Sequence, residues 1–288
     1  MTDTAQIITS YGRRYIVRTP DGKTYEASTR KKRVDFACGD FVHISPINGE
    51  QVVIEDYLPR QSLLYRQDAW KTKLIAANVS QLLIVTAAVP SPSEALLQRA
   101  LLAAEAAEIQ AVIVLNKADL PETAAWREKL AFYETLGYRV VETRALENAD
   151  ALKPLLSGHT NILLGQSGMG KSTLTNALLG NQAARTGDIS TALDSGKHTT
   201  THAQLYDLDS ETQLIDSPGL QEFGLYHLAA TDLLHYFPDL KHLSGQCRFH
   251  NCTHRAEPNC AVKAAAEAGE VKKERVEFLQ RITDELLR

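Results

Sequence analysis

The 288-residue sequence has no apolar run approaching the ~18 residues of a membrane-spanning helix, so no transmembrane segment is expected. Its first residues, MTDTAQ, lack the basic patch and apolar stretch of a secretory leader, and a cytoplasmic protein is expected. Positive charge is not in excess. With 31 Lys and Arg against 35 Asp and Glu the net charge is −4, which argues against non-specific coating of nucleic acid but leaves room for a local basic patch. There are no repeats or low-complexity blocks. A content of 44% hydrophobic and 23% charged residues excludes wholesale disorder. Cysteine is scarce: Cys38 stands alone, while Cys247, Cys252 and Cys260 fall close together. In a cytoplasmic chain such clustering favours a metal over disulfides.

The length suits two or three domains, and the pattern changes twice along it. Up to about residue 68 the chain reads as short strands: Ile7 to Arg18, Lys23 to Ser28, Asp40 to Ser45 and Gln51 to Tyr57, with Thr19-Pro20-Asp21-Gly22 and Asn48-Gly49 as turns. Short strands joined by such turns in so short a stretch predict a small β-barrel of the OB-fold kind. The basic run Arg30-Lys31-Lys32-Arg33 on it is a candidate for RNA-backbone contact. After a linker around Gln67 to Lys73, buried-strand runs alternate with helical stretches. Leu82 to Ala88 and Ala111 to Leu115 are strands, Ser93 caps a helix running to Ala107, and Thr123 to Leu136 is a second helix. This alternation predicts an α/β domain with a parallel sheet over residues 69–226. Residues 227–288 hold a helical stretch near Ala229 to Tyr236, a Cys/His cluster and a mostly helical tail.

Gly165-Gln166-Ser167-Gly168-Met169-Gly170-Lys171-Ser172, followed by Thr173, matches the phosphate-binding pattern G-x-x-x-x-G-K-[ST]. It follows the strand-like Asn161 to Leu164 and opens a helix. Backbone N–H groups at a helix N-terminus favour an anion. Lys171 is expected to reach the β- and γ-phosphates and Ser172 to ligate Mg²⁺. Leu214-Ile215-Asp216-Ser217-Pro218-Gly219 supplies the second piece, with Asp216 near the metal and the Gly219 N–H near the γ-phosphate. Asn116-Lys117-Ala118-Asp119 ends the strand Ala111 to Leu115. A carboxylate at Asp119 can accept from both guanine N1–H and the 2-amino group, a donor pair adenine lacks. The Lys117 stem can cover the base while Asn116 ties loops together. The chain is therefore expected to bind GTP and GDP with Mg²⁺.

The N-K-x-D motif resembles that of translation-factor-type GTPases, but here it precedes the phosphate loop, an order that marks circularly permuted GTPases. With a barrel before and a Cys/His cluster after, the chain resembles the ribosome small-subunit-dependent GTPase A family over nearly its whole length, including Ile75-Ala76-Ala77-Asn78-Val79. The resemblance implies a cytoplasmic GTPase acting late in small-subunit (30S) assembly, bound to 16S rRNA, alongside assembly factors and stimulated by that particle. It implies no membrane. One self-sufficient nucleotide site makes a monomer the default. Gly196-Lys197-His198-Thr199-Thr200-Thr201 resembles the family's G-x-H-T-T-T switch. Thr200 is the first choice to close over Mg²⁺ and the γ-phosphate, and His198 is a candidate for positioning water. Leu220 stands where Ras-like GTPases place a water-orienting glutamine. The Ser-Ala base contact of many GTPases is not matched, and Glu142-Thr143-Arg144-Ala145 occupies its place. In the permuted order the segment after Gly219 leads straight to the C-terminal domain, where γ-phosphate contacts would pull.

Cys247, Cys252, His254 and Cys260 form a Cys₃His set suited to one structural, tetrahedral Zn²⁺, at a spacing similar to the family's zinc motif. His250 is an alternative ligand that breaks the spacing. Two other functions stay open at this point. One is a non-enzymatic RNA-binding module holding GDP structurally, against which Lys171, Ser172 and Asp216 speak. The other is a permuted GTPase serving a different RNA or protein.

Overall fold

The computed structural model describes residues 3–12, 14–30, 35–67, 72–145, 147, 149–180, 202–219 and 223–287. Within them the β-strands fall into one long sheet and a separate hairpin.

Five strands close the N-terminal barrel: β1 (Asp3–Ser10), β2 (Tyr15–Arg18), β3 (Thr24–Thr29), β4 (Phe41–Pro46) and β5 (Gln51–Tyr57). Their order is β1-β2-β3-β5-β4, and β4 pairs back to β1, so no edge is left between them. Ile7, Tyr15, Val17, Val42, Ile44, Val52 and Ile54 fill the interior, as the alternating pattern requires. The stretch from Ile7 to Arg18, expected as one strand, is two. Gly12 adopts φ +81°, where a side chain is strained, and the chain reverses there so that Ile7 pairs with Val17.

The expected linker near Gln67 to Lys73 begins and ends in paired strands, β6 (Leu63–Gln67) and β7 (Thr72–Ala77), and residues 68–71 between them lie outside the described residues. The hairpin is fastened at both ends. Ala77 N donates to Cys38 O of the barrel at 2.9 Å, and Gly39 approaches so closely that a Cβ there would lie 2.2 Å from Ala77 O. At its other end Gln67 exchanges backbone hydrogen bonds with Gly224 and Tyr226, each at 3.1 Å. The segment after Gly219 is thus held by the hairpin before it reaches the C-terminal domain.

The central sheet runs β10 (Arg139–Glu142), β9 (Gln110–Leu115), β8 (Gln81–Thr86), β11 (Thr160–Leu164) and β13 (Gln213–Asp216), all parallel. β8 is buried throughout, as a strand covered on both faces must be. Ser93 caps α1 (Glu94–Ala106) by accepting from Leu96 N at 3.2 Å. The other helices are α2 (Thr123–Thr135), the one-turn α3 (Lys153–Leu156) and α4 (Lys171–Leu179). β12 (Ala203–Asp207) adds antiparallel to β13, and barrel strand β1 then pairs with β12 through Thr9↔Gln204 and Ser10↔Ala203. Barrel and nucleotide domain therefore share one continuous sheet. Reciprocal amide bonds between Gln6 and Gln213 and a bidentate Arg18–Asp207 pair reinforce the junction.

In the C-terminal part the stretch expected as a helix near Ala229 to Tyr236 is a 3-10 helix, Ala230–Tyr236. α5 (Ala261–Glu267) and α6 (Lys273–Leu286) follow. α6 docks on α1: the buried Arg275 pairs with both oxygens of Asp239 at 2.9 Å and donates to Gln98 Oε1 at 3.0 Å. Among the described residues no helix is long and apolar enough to cross a membrane.

Candidate functional site

All five parallel strands end on the same edge of the sheet, where open α/β folds bind ligands. Three of the predicted motifs leave from those ends: residues 165–172 follow β11, Asp216 ends β13, and Asn116 follows β9. Far apart and permuted in sequence, they meet in space.

Asn116 is the tie. Its side chain is buried; Nδ2 donates to Met169 O at 2.9 Å, inside the phosphate loop. Its Oδ1 accepts from Ala145 N at 3.1 Å and from Thr143 Oγ1 at 3.3 Å, beyond β10. Gly170, at φ +95°, sits where a Cβ would meet Asn116 Nδ2 at 2.2 Å, so only glycine lets the two loops close. Lys117, itself at φ +57°, donates to Val89 O at 2.8 Å and Gly168 O at 2.9 Å. This spans the phosphate loop and the loop after β8. Asp119 stands exposed on the turn that follows.

Thr143 and Ala145 are positions whose part in the site the sequence left unresolved. They fill the place of the unmatched Ser-Ala element. A hydroxyl and a small residue two apart, directly after a strand, is the signal that marks them. In the structure both bond to Asn116, and by fixing it they fix the loop that carries Lys117 and Asp119.

The loop itself is shaped by what lies beneath it. The Met169 side chain is buried in the core with Leu83, Val85 and Leu174, so this residue offers a ligand its backbone only. Gln166 Oε1 accepts from Ser93 N at 3.1 Å, tying the loop to the start of α1. Lys171 is buried, and its ammonium donates to Gly165 O at 3.0 Å and Gln166 O at 3.2 Å. Burial lowers its pKa, and the Asp216 carboxylate opposes that shift. Gly219 crosses over the loop, where a Cβ would lie 3.3 Å from Lys171 Nζ and 3.2 Å from Ser167 Cα. Asp216 is buried at the end of its strand, beside Ser217, whose Oγ donates to Leu163 O at 2.5 Å.

A cradle that excludes side chains, a buried ammonium within it and a carboxylate beside it fit a polyphosphate with a divalent cation. His198, Thr200 and Leu220 lie outside the described residues, as do Lys31, Lys32 and Arg33 of the basic run. Arg30 is exposed and pairs with Glu55 at 2.6 Å.

The second cluster lies between the 3-10 helices and α5. The ligating atoms of Cys247, Cys252, His254 and Cys260 fall within 4.8 Å of one another, and His250 is exposed and outside the group. His254 Nδ1 lies 3.7 Å from Cys247 Sγ and 3.4 Å from Cys260 Sγ, and the two sulfurs are 3.9 Å apart. A zinc ion about 2.3 Å from each sulfur and about 2.0 Å from nitrogen sets edges of about 3.8 Å and about 3.5 Å, so the set fits. Burial and the neighbouring thiols push the Cys252 thiol up to about 12, so without a cation it keeps its proton, and a bound cation would displace that proton. The Glu257 carboxylate accepts from Thr253 N at 2.7 Å, Thr253 Oγ1 at 2.6 Å and Arg255 N at 2.9 Å. These bonds hold its pKa down at about 2 and pin the backbone on either side of His254.

The model of the RsgA GTPase family matches residues 57–226. The chain is 84% identical over 286 residues to the small ribosomal subunit biogenesis GTPase RsgA of Neisseria meningitidis serogroup C, covering 99% of this chain and 93% of the relative. It is 45% identical to the protein of the same name from Nitrosomonas europaea, covering 95% of this chain and 88% of that one. Among solved structures it is similar to YjeQ from Thermotoga maritima, with a TM-score of 0.71 and 28% identity over 100% and 99% of the two chains. YloQ, described as a circularly permuted GTPase, aligns with a TM-score of 0.68 and 27% identity over 100% and 96%.

Proposed function

This chain belongs to the RsgA GTPase family, and on that premise we propose that it hydrolyses GTP late in maturation of the small ribosomal subunit, bound to 16S rRNA and stimulated by that particle. The observation that carries the reading is the convergence of the permuted motifs on Asn116, which locks the phosphate loop to the guanine-reading loop. A single buried side chain thereby makes phosphate and base recognition one unit.

The remaining residues divide the work. The backbone of residues 165–170 wraps the phosphates, Lys171 pairs with the β- and γ-oxygens, and Gly219 N–H faces the γ-phosphate. Ser172 and Asp216 hold Mg²⁺, which neutralises charge on the phosphates when bound. Asp119 accepts from guanine N1–H and the 2-amino group, under the stem of Lys117. Thr200 closes over the γ-phosphate and His198 positions the attacking water, a role for which Leu220 has no suitable atom. The barrel, through Arg30 to Arg33, contacts the rRNA backbone. Cys247, Cys252, His254 and Cys260 hold one structural zinc. The protein acts as a cytoplasmic monomer, with domains at 1–68, 69–226 and 227–288.

The test is GTP turnover with and without excess small subunits, using large subunits as the control. Small subunits alone are expected to raise turnover by on the order of 10²-fold, a typical scale for one supplied transition-state contact. An Asp119→Asn variant should lose guanine selectivity, at about 1.5–3 kcal/mol for the lost charged hydrogen bond. Tight guanine-nucleotide binding without stimulation would instead support a structural nucleotide or a different partner. In the same assay, His198→Ala should lower stimulated turnover while GDP affinity stays unchanged. Unaltered turnover in that variant removes His198 from the mechanism.

A further inference from the structure

Three residues of the phosphate loop between Gly165 and Gly170 inclusive are glycines, and each makes room for a neighbour. A Cβ on Gly165 would lie 2.2 Å from Val85 O, one on Gly168 3.2 Å from the Pro90 ring, and one on Gly170 2.2 Å from Asn116 Nδ2. The side chains that remain are those of Gln166, Ser167 and Met169. Two of them are committed elsewhere. Gln166 Oε1 accepts from Ser93 N at the start of α1, and the Met169 side chain lies in the core beneath the loop. Ser167 is exposed, and among the described residues its hydroxyl has no hydrogen-bond partner. It is the one polar side chain that this loop leaves for a ligand.

Its place in the loop decides which phosphate it serves. A serine in a turn is ordinarily just solvated, but here Gly219 comes down on it. A Cβ built on that glycine would lie 3.2 Å from Ser167 Cα and 3.3 Å from both Ser167 N and Lys171 Nζ. Ser167 therefore shares one corner of the loop with the Lys171 ammonium and the Gly219 backbone, the groups assigned to the γ end of the nucleotide. The base end lies the other way, where Lys117 Nζ reaches Gly168 O at 2.9 Å. A hydroxyl in that corner is a donor facing an anionic oxygen, a charge-assisted bond of the stronger kind. Leu220, next along from Gly219, has no donor to offer there.

We propose that the Ser167 hydroxyl donates to an oxygen of the γ-phosphoryl group beside the Gly219 N–H, so that this side chain distinguishes GTP from GDP and holds the transferred group in place. During hydrolysis the bond from the water oxygen to the γ-phosphorus forms while the bond from that phosphorus to the β–γ bridging oxygen breaks, its electron pair leaving with GDP. The two protons of the water pass to the released phosphate and to solvent. Ser167 keeps its own proton throughout. The role in hydrolysis rests on the function proposed above, whereas the contact with the γ-phosphoryl group is measurable without turnover.

The experiment uses the full-length, zinc-loaded chain with Mg²⁺ and compares its affinity for GDP with that for GMPPNP, a GTP analogue whose imido bridge resists hydrolysis. Ser167→Ala should weaken GMPPNP binding about tenfold, the scale of one lost hydrogen bond to a charged group, and leave GDP binding unchanged. Ser167→Gly should do the same, because it also lacks the hydroxyl and crowds Gly219 no further. In both variants kcat/KM for GTP with small subunits should fall about tenfold or more. The nucleotide-free melting temperature of Ser167→Ala should match the parent. An unchanged ratio of GMPPNP to GDP affinity in both variants overturns the proposal. So does an equal loss for the two nucleotides, because the serine would then only shape the loop. A loss in Ser167→Ala that is absent from Ser167→Gly overturns it as well, since the effect would be steric. If the parent turns over no GTP with or without small subunits, the hydrolytic function falls, and the affinity ratio still decides Ser167.

Discussion

Replacing Lys171 with methionine should reduce GTP turnover by at least about 10²-fold while leaving the nucleotide-free fold intact. The ammonium is buried inside the glycine cradle, so the variant loses charge-assisted bonds to the β- and γ-oxygens in the water-excluded part of the site, where such bonds count most. Methionine conserves most of the volume, so no cavity opens. The effect on the empty protein runs the other way. Burial lowers the Lys171 pKa, so between the folded and unfolded values the folded chain holds fewer protons than the unfolded chain. The empty parent therefore gains stability as pH rises from the lowered folded value toward the ordinary lysine range, and carries the full burden of the buried charge only below that folded value. The methionine variant lacks both the burden and this pH dependence. Thermal melts in the absence of nucleotide, measured at neutral and alkaline pH, should show a variant no less stable than the parent at neutral pH. The gain in melting temperature on adding GDP should shrink in the variant. A variant that melts well below the parent without nucleotide would mean that Lys171 is chiefly structural, through its bonds to Gly165 O and Gln166 O.

Removing the metal from the Cys₃His cluster should unfold the C-terminal part and leave nucleotide binding in place. Zinc sites of this kind contribute an apparent ~10–16 kcal/mol near neutral pH, more than a segment of this size gains from its own core. Cys247, Cys252, His254 and Cys260 lie in the turns between the 3-10 helices and α5, with ligating atoms within 4.8 Å of one another, where one ion would join all four. Partial rescue comes from α6, since Arg275 bonds to Gln98 and Arg99 pairs with Glu285 across the junction with α1. The expected result is a chain with two thermal transitions after chelation, the earlier one restored by added zinc. Limited proteolysis of the chelated protein should cut beyond Tyr226 first. The GDP affinity should be unchanged, because the phosphate and base loops are fastened to one another rather than to this domain. A single unaltered transition, with metal analysis confirming complete removal, would show that packing alone holds the C-terminal part.

The sequence by itself determined the chemistry and the fold class. Residues 165–172 and Asn116 to Asp119 are legible because phosphate and guanine recognition demand fixed residue types at short, local spacings. The Cys₃His set is legible for the same reason, and the buried strands because two-sided burial leaves unbroken apolar runs such as Leu82 to Val85. Reading Ile7 to Arg18 as one strand failed at Gly12, since alternation continues across a tight turn and only pairing shows where the chain reverses. What the tertiary structure decided was how these pieces are joined. Asn116 meeting Met169 O and Ala145 N, Gly170 pressed against Asn116, β1 extending the central sheet through β12, and Gln67 pairing with the segment after Gly219 are all contacts between distant parts of the chain. Such contacts depend on where strand ends and backbone groups fall once the sheet is assembled. That is a geometric outcome of packing, and no local spacing encodes it.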